Sequence, residues 1–201
     1  MAAFSSEGLS KQEQHRLLTS IVAPRPIAFV STMSEDGVLN AAPFSYFNIV
    51  SAEPPLLSIS IGRKKGQQKD TARNILQKKE FVVHVTDEDN VKKVNKTAAS
   101  LSPDESEAAF ASLTPTVSHQ TGVPSIKEST VRMECVLEQH LVIGDENSVV
   151  DLIIGRIRHY DIEDKLIKDG SVRTDKMKPV ARLGGKEYAR LGHVFELERP
   201  D

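Results

Sequence analysis

Lys69-Asp70-Thr71 opens a stretch whose pattern predicts a helix over residues 70–79. Seven basic side chains (Arg63, Lys64, Lys65, Lys69, Arg73, Lys78 and Lys79) share residues 63–79 with a single acid, Asp70. A helix start offers unpaired backbone amides and a partial positive charge, and Thr71 adds a hydroxyl close to the Lys69 ammonium. That combination suits a phosphate monoester. A solvated helix face with Asp70 as its N-cap would give the same residues. Within this stretch Lys69 and Thr71 are expected to matter for a ligand and Lys64 to matter little. Nucleic acid is disfavoured as a partner, because no aromatic side chain interleaves with the cations.

A second stretch, Asn40-Ala41-Ala42-Pro43-Phe44-Ser45-Tyr46-Phe47-Asn48-Ile49-Val50-Ser51, holds three of the ten aromatic residues within four positions. A flat heteroaromatic ligand needs apolar walls with backbone donors and acceptors along one edge, which an irregular segment of this kind supplies. A bulged strand feeding the core reads the same way. Other chemistries lack their residues. No Gly-x-Gly-x-x-Gly follows a strand, and there is no P-loop or nucleophile elbow. The six histidines (His15, His84, His119, His140, His159, His193) show no paired spacing, so no metal site is expected. Cys135 sits mid-strand on an alternating apolar face and reads as a small buried hydrophobe rather than a nucleophile. An enzyme built on this chain would take its chemistry from a cofactor.

The elements that position these residues are β-rich. Ser10-Lys11-Gln12-Glu13 forms a capping box, so a short helix is expected to end before Pro24. Ile27-Ala28-Phe29-Val30 reads as a buried strand, with Ser34-Glu35-Asp36-Gly37 as the turn that follows. Further strands are expected at Leu56-Leu57-Ser58-Ile59-Ser60-Ile61 and Phe81-Val82-Val83-His84-Val85, and short helices over 90–100 and 103–110. Val131, Met133, Cys135 and Leu137 alternate with Arg132, Glu134 and Val136. A second long strand is expected over 148–160, after the polar turn Gly144-Asp145-Glu146-Asn147. Residues 161–178 read as loop, with short late strands over 188–191 and 194–197. Two long strands joined by a tight turn favour an antiparallel barrel, since such strands need partners along their whole length.

The 201 residues carry 27% charged side chains and a net charge of −2, ordinary for one globular domain. A near-neutral surface gives no global field toward nucleic acid or anionic membrane, and the longest apolar runs are far short of a bilayer span. One cysteine and an N-terminus without a secretion-signal pattern point to the reducing cytoplasm.

Together these segments resemble the flavin-reductase-like, FMN-binding split-barrel family, in its longer, flavoredoxin-like branch. The matching motifs are Pro24-Arg25-Pro26-Ile27-Ala28-Phe29-Val30-Ser31-Thr32, residues 40–51 followed by Pro54-Pro55, and Lys69-Asp70-Thr71-Ala72-Arg73-Asn74-Ile75. Near the end, Pro179-Val180-Ala181-Arg182-Leu183-Gly184-Gly185 and Tyr188-Ala189-Arg190-Leu191-Gly192 match too. The resemblance covers about residues 16–200. It implies a mainly β protein with short helices: a six-stranded Greek-key split barrel that forms a homodimer and binds FMN. The isoalloxazine is expected along Pro43, Phe44, Ser45, Tyr46, Phe47 and Asn48. The phosphate is expected at the loop after Ser60-Ile61-Gly62, with Lys69, Asp70, Thr71 and Arg25. Tyr188 and the surrounding 184–191 stretch are expected to cover the flavin or the dimer seam.

His84 departs from the family, whose strand often ends in Asn-Ile or Asn-Val. It touches flavin or nicotinamide, or it is a satisfied core histidine. The implied activity is an NAD(P)H-dependent flavin reductase that supplies reduced flavin to a monooxygenase or another electron acceptor. Hydride transfer from nicotinamide to flavin needs stacking and orientation rather than a protein acid or base. Two other readings stand beside it: an FMN electron carrier serving a protein partner, and a ligand-binding barrel without redox chemistry.

Overall fold

The computed structural model describes residues 1–145 and 148–200. Helix α1 (Lys11–Ile21) starts as the capping box requires: Ser10 Oγ accepts from the Glu13 amide at 3.3 Å, and Glu13 Oε2 accepts from the Ser10 amide at 2.9 Å. Strands β1 (Arg25–Pro26), β2 (Ala28–Met33), β3 (Leu39–Phe44), β4 (Phe47–Ala52) and β5 (Pro55–Gly62) follow, then α2 (Asp70–Lys78) and β6 (Glu80–Val85). Short helices α3 (Val91–Lys96) and α4 (Glu107–Phe110) precede a small ladder of β7 (Pro115–Thr116) and β8 (Ser125–Ile126). The long strands are β9 (Val131–Asp145) and β10 (Ser148–Ile162). After them come β11 (Ile167–Lys168), β12 (Ser171–Val172), α5 (Thr174–Met177), β13 (Val180–Arg182) and β14 (Tyr188–Arg190). No helix among the described residues is long and apolar enough to cross a membrane.

Seven strands form one antiparallel sheet in the order β3-β2-β6-β9-β10-β5-β4. Its two edges, β3 and β4, are neighbours in the chain with Ser45 and Tyr46 between them. The barrel is therefore closed except along one seam, where the chain itself turns the corner. This is the split barrel. Seven strands stand where six were expected, with the chain breaking at Ser45-Tyr46 between β3 and β4. Helix α2 carries the chain back from β5 to lay β6 beside β2, the return that makes the order a Greek key.

Alternation along the strands fills the barrel. Leu57, Ile59 and Ile61 of β5 meet Ala28 and Val30, Phe81 and Val83, Cys135 and Ile153, and Ala72 and Ile75 of α2 close the packing. Cys135 is fully buried, and burial pushes its thiol pKa up, which keeps it protonated and inert as expected. A second cluster covers the outer side of β2 and β3, where Phe29 and Ala41 pack under Val94, Ala108, Ala111, Leu113 and Ile126.

Several sequence expectations are corrected. Asp70 is the first helical residue and not the cap: Lys69 holds the cap position, and the Asp70 carboxylate pairs with Arg73. The 161–178 stretch is not all loop, since β10 runs on to Ile162 and a short 3-10 turn, the β11–β12 hairpin and α5 follow. Residues 194–197 form no strand and leave Val194, Phe195 and Leu197 exposed. Of the expected polar turn, Gly144 and Asp145 prolong β9, and Glu146 and Asn147 lie outside the described residues.

Candidate functional site

The corner at Ser45-Tyr46 is pinned to the barrel by the Ser60 amide, which donates to the Tyr46 carbonyl at 2.9 Å. Just before it, Pro43 and Phe44 leave β3 beside two cavities, and both residues line both of them. The larger, about 530 Å³, lies between β3, the start of α2 and residues 97–101. The smaller, about 230 Å³, lies between the corner, α1 and the β13–β14 hairpin. They form one continuous candidate site hinged on Phe44.

The larger cavity is cationic. Lys64, Lys65, Lys69 and Arg73 line it, against Asp70 and Glu107. Asp70 is neutralised by Arg73, whereas among the described residues no carboxylate pairs with Lys64, Lys65 or Lys69. Glu107 is buried, its carboxyl pKa is raised chiefly by that burial, and it accepts from the Asn40 amide at 2.8 Å. No side chain caps α2, so its first amides lack a capping oxygen where Lys69, Asp70 and Thr71 line this cavity. Lys69 Nζ stands 5.8 Å from the centroid of the Phe44 ring, so the cation and the aromatic wall are adjacent. The arrangement offers charge and free amides at one end and an apolar wall beside them.

Thr71 also lines the larger cavity, but its hydroxyl is spent inside the protein. It is buried, and its hydroxyl donates to Asn40 Oδ1 at 2.9 Å, inside a network with Thr32, Asn74 and Glu107. It therefore holds the helix start against β3. Lys64, expected to matter little for a ligand, lines the same cavity and donates from Nζ to Ser100 Oγ at 3.1 Å.

The smaller cavity is lined by Ile27, Pro43, Phe44, Ser45 and Tyr46 on one side and by Arg182, Leu183, Gly185 and Tyr188 on the other. Tyr188 is held in place: its hydroxyl donates to Asn95 Oδ1 at 2.9 Å and accepts from Arg182, whose guanidinium lies 4.6 Å from the ring centroid. Arg25 belongs to this cavity and not to the cationic one. Its guanidinium donates to the carbonyls of Thr19 and Val22 at the end of α1 and to Leu183 O, which corrects the expectation that it holds phosphate.

Five other expected residues line neither cavity. Phe47 pairs with Ile59 and packs on the barrel core, and the Asn48 side chain caps the Ile49 amide on the outer surface. The Ile61 side chain is buried inside the barrel, and Ser60 and Gly62 pair with β10. Alternation explains the four with side chains, because a paired strand must send them into the barrel or out to its surface, and Gly62 has none to offer. The sequence reading missed Asn40, Asn95, Arg182 and residues 97–101. Arg182 had a signal in its matching motif. Asn40 opens the aromatic stretch, whereas Asn95 and residues 97–101 reach the site through tertiary packing that no local pattern announces.

His84 is a satisfied core histidine. The Ile126 amide donates to Nε2 at 2.9 Å, which places the ring proton on Nδ1, where it donates to Phe29 O at 2.9 Å. Burial, aided by the nearby Arg132 charge, holds its pKa down to about 4.

Comparison with known proteins agrees with this geometry. Residues 21–175 match the model of the "Flavin reductase like domain" family. An uncharacterized Bacillus subtilis protein, YwrF, is 48% identical over 204 residues, covering 100% of both chains. Nitrilotriacetate monooxygenase component B from Bacillus cereus superposes with a TM-score of 0.96 at 45% identity over 98% of each chain. The 2-nitrobenzoate 2-nitroreductase NbaA of Pseudomonas fluorescens gives a TM-score of 0.90 at 30% identity, over 99% of this chain and 96% of its own. With a barrel split at the same corner that walls its cavities, the chain belongs to the flavin reductase-like family and is a flavin-linked redox protein.

Proposed function

We propose that the joined cavities bind FMN and that the chain is an NAD(P)H-dependent flavin reductase acting as a homodimer. The observation that carries this reading is the meeting of a cationic cavity and an aromatic-walled cavity at Phe44. The residues fit the group. Lys64, Lys65, Lys69 and the free amides at the start of α2 would hold the phosphate, since charge-assisted donors suit its oxygens. Pro43, Phe44, Ser45 and Tyr46 would wall the ring, with Tyr188 and Arg182 opposite. Asp70, already paired with Arg73, and Glu107, buried and bonded to Asn40, add little repulsion there. Bound in this site, FMN would supply acceptance of a hydride from nicotinamide. The protein's part is to orient the two rings and exclude water, which asks for no acid or base among its side chains.

The likeness to a monooxygenase component B at 45% identity supports a monooxygenase as the consumer of reduced flavin. The test is NADH and NADPH oxidation by the purified chain, with and without added FMN, followed beside the visible spectrum. Flavin-dependent oxidation supports the reductase. A yellow protein that oxidises neither nucleotide would instead be a carrier, and a colourless protein that leaves added FMN unbound would overturn the reading.

A further inference from the structure

The cationic wall of the larger cavity is a tight turn. Lys64 and Gln67 exchange backbone hydrogen bonds at 2.9 and 3.0 Å, with Lys65 at φ 51° and Gly66 at φ 78° between them. Two successive residues of positive φ define the hairpin turn whose twist matches paired strands. Left to itself, a four-residue turn of Lys, Lys, Gly and Gln would have its ammonium groups repel and its flanks splay. Its flanks are not left to themselves.

Arg63, just before the turn, and Gln68, just after it, reach the same carboxylate. Arg63 donates from Nε to Asp151 Oδ2 at 2.9 Å and from Nη2 to Oδ1 at 2.8 Å, and Gln68 Nε2 donates to Oδ1 at 2.9 Å. His140 Nε2 lies 2.9 Å from the same Oδ1. The Arg63 amide adds a bond to Val149 O at 3.1 Å. Asp151 sits on β10, level with Ile61, and its side chain is fully buried. Although burial opposes ionisation, the bonds from Arg63, Gln68 and His140 hold its pKa at about 2. Neither Asp151 nor Arg63 lines the cavity.

We propose that Asp151 is the positioning residue of the phosphate end of the site: one buried carboxylate ties both flanks of the Lys64–Gln67 turn and so aims its lysines across the cavity at the start of α2. The inference rests on the FMN reading above. It assigns a role in ligand selectivity to a residue that touches no ligand. The fork of Arg63 makes the tie directional, which a lysine at that position would not reproduce.

The experiment is calorimetry of FMN and of riboflavin with the full-length chain, in the wild type and in Asp151→Asn, Arg63→Gln and Asp151→Asn/Arg63→Gln, each variant checked by thermal melting. Loss of the aim should weaken FMN by about ten-fold or more, the worth of roughly one charge-assisted bond, and leave riboflavin within about two-fold. The double variant should lose no more than the stronger single one, because both act through one tie. If Asp151→Asn does not fold, Arg63→Gln decides alone, since that side chain is partly exposed and can rehydrate. FMN and riboflavin falling together, or FMN affinity unchanged, would overturn the inference. A wild type that binds both flavins equally would overturn the phosphate reading itself, and the inference with it.

Discussion

His84 shows how one side chain can be both a departure from family pattern and a piece of plain architecture. Its ring spends both nitrogens on backbone groups, one from β2 and one from the β8 segment, and so stitches the outer cluster to the barrel wall. The neutral form is required, and the folded pKa of about 4 lies below the ordinary 6.5. Between those values the unfolded chain binds the proton and the folded chain does not. Stability is therefore greatest above pH 6.5 and falls as the pH drops toward 4, by up to about 3 kcal/mol from this group. Urea denaturation of the wild type and His84→Gln between pH 7.5 and 4.5 checks it. The variant should be less stable at pH 7.5, and the gap should narrow toward pH 4.5; a constant gap would contradict the assignment. At this scale the sequence was legible where residue type alone decides. Cys135 as a buried hydrophobe follows from type and spacing, whereas the meeting of Lys69 with the aromatic stretch was implied only by the family resemblance. Thr71 was not legible, because its hydroxyl goes to Asn40, 31 positions away, a pairing that only the folded chain creates.

The long hairpin of β9 and β10 was the clearest element in the sequence, since the alternation from Val131 to Leu137 favours a period of two. Its irregularity was not visible. The register shifts between Ile154 and Gly155, and there the backbone comes against the ring of Phe81 in the barrel core. A β-carbon at 155 would run into that ring, and Phe81 is fully buried with nowhere to retreat. Gly155→Ala should therefore cost about 1–3 kcal/mol through overpacking, measurable as a lower urea midpoint. An unchanged midpoint would show that the ring can yield. Residues 40–51 illustrate the opposite limit. Their composition admitted either an irregular ligand wall or a bulged strand, and the structure contains an irregular corner as well as a bulge, with β3 and β4 broken at Ser45-Tyr46 and a register shift between Ile49 and Ser51. Composition cannot locate such a break, because it is set by closure of the barrel and not by local preference.

The whole molecule leaves apolar surface uncovered. Ile49 on β4 is 71% exposed, Val50 beside it is exposed, and Leu141, Val142 and Ile143 near the end of β9 are exposed too. Exposed apolar side chains at these two places, on a barrel whose edge strands β3 and β4 flank its seam, fit a second copy of the chain. Sedimentation at micromolar concentration should report about twice the 22.2 kDa chain mass; a monomer that binds FMN at full affinity would show that one chain completes the site. The fold class was readable from strand pattern and motif order together. The exact geometry of the site was not, because it assembles β3, α2, the residues after α3 and the β13–β14 hairpin from across the chain. Flavin binding in this molecule depends most directly on the larger cavity being a phosphate site, as proposed above. Calorimetry of the wild-type chain with FMN and riboflavin at low and high salt tests that. About one FMN should bind per chain, at least about ten-fold tighter than riboflavin, with the advantage shrinking as salt screens the lysines. Riboflavin binding as tightly as FMN at low salt would contradict it.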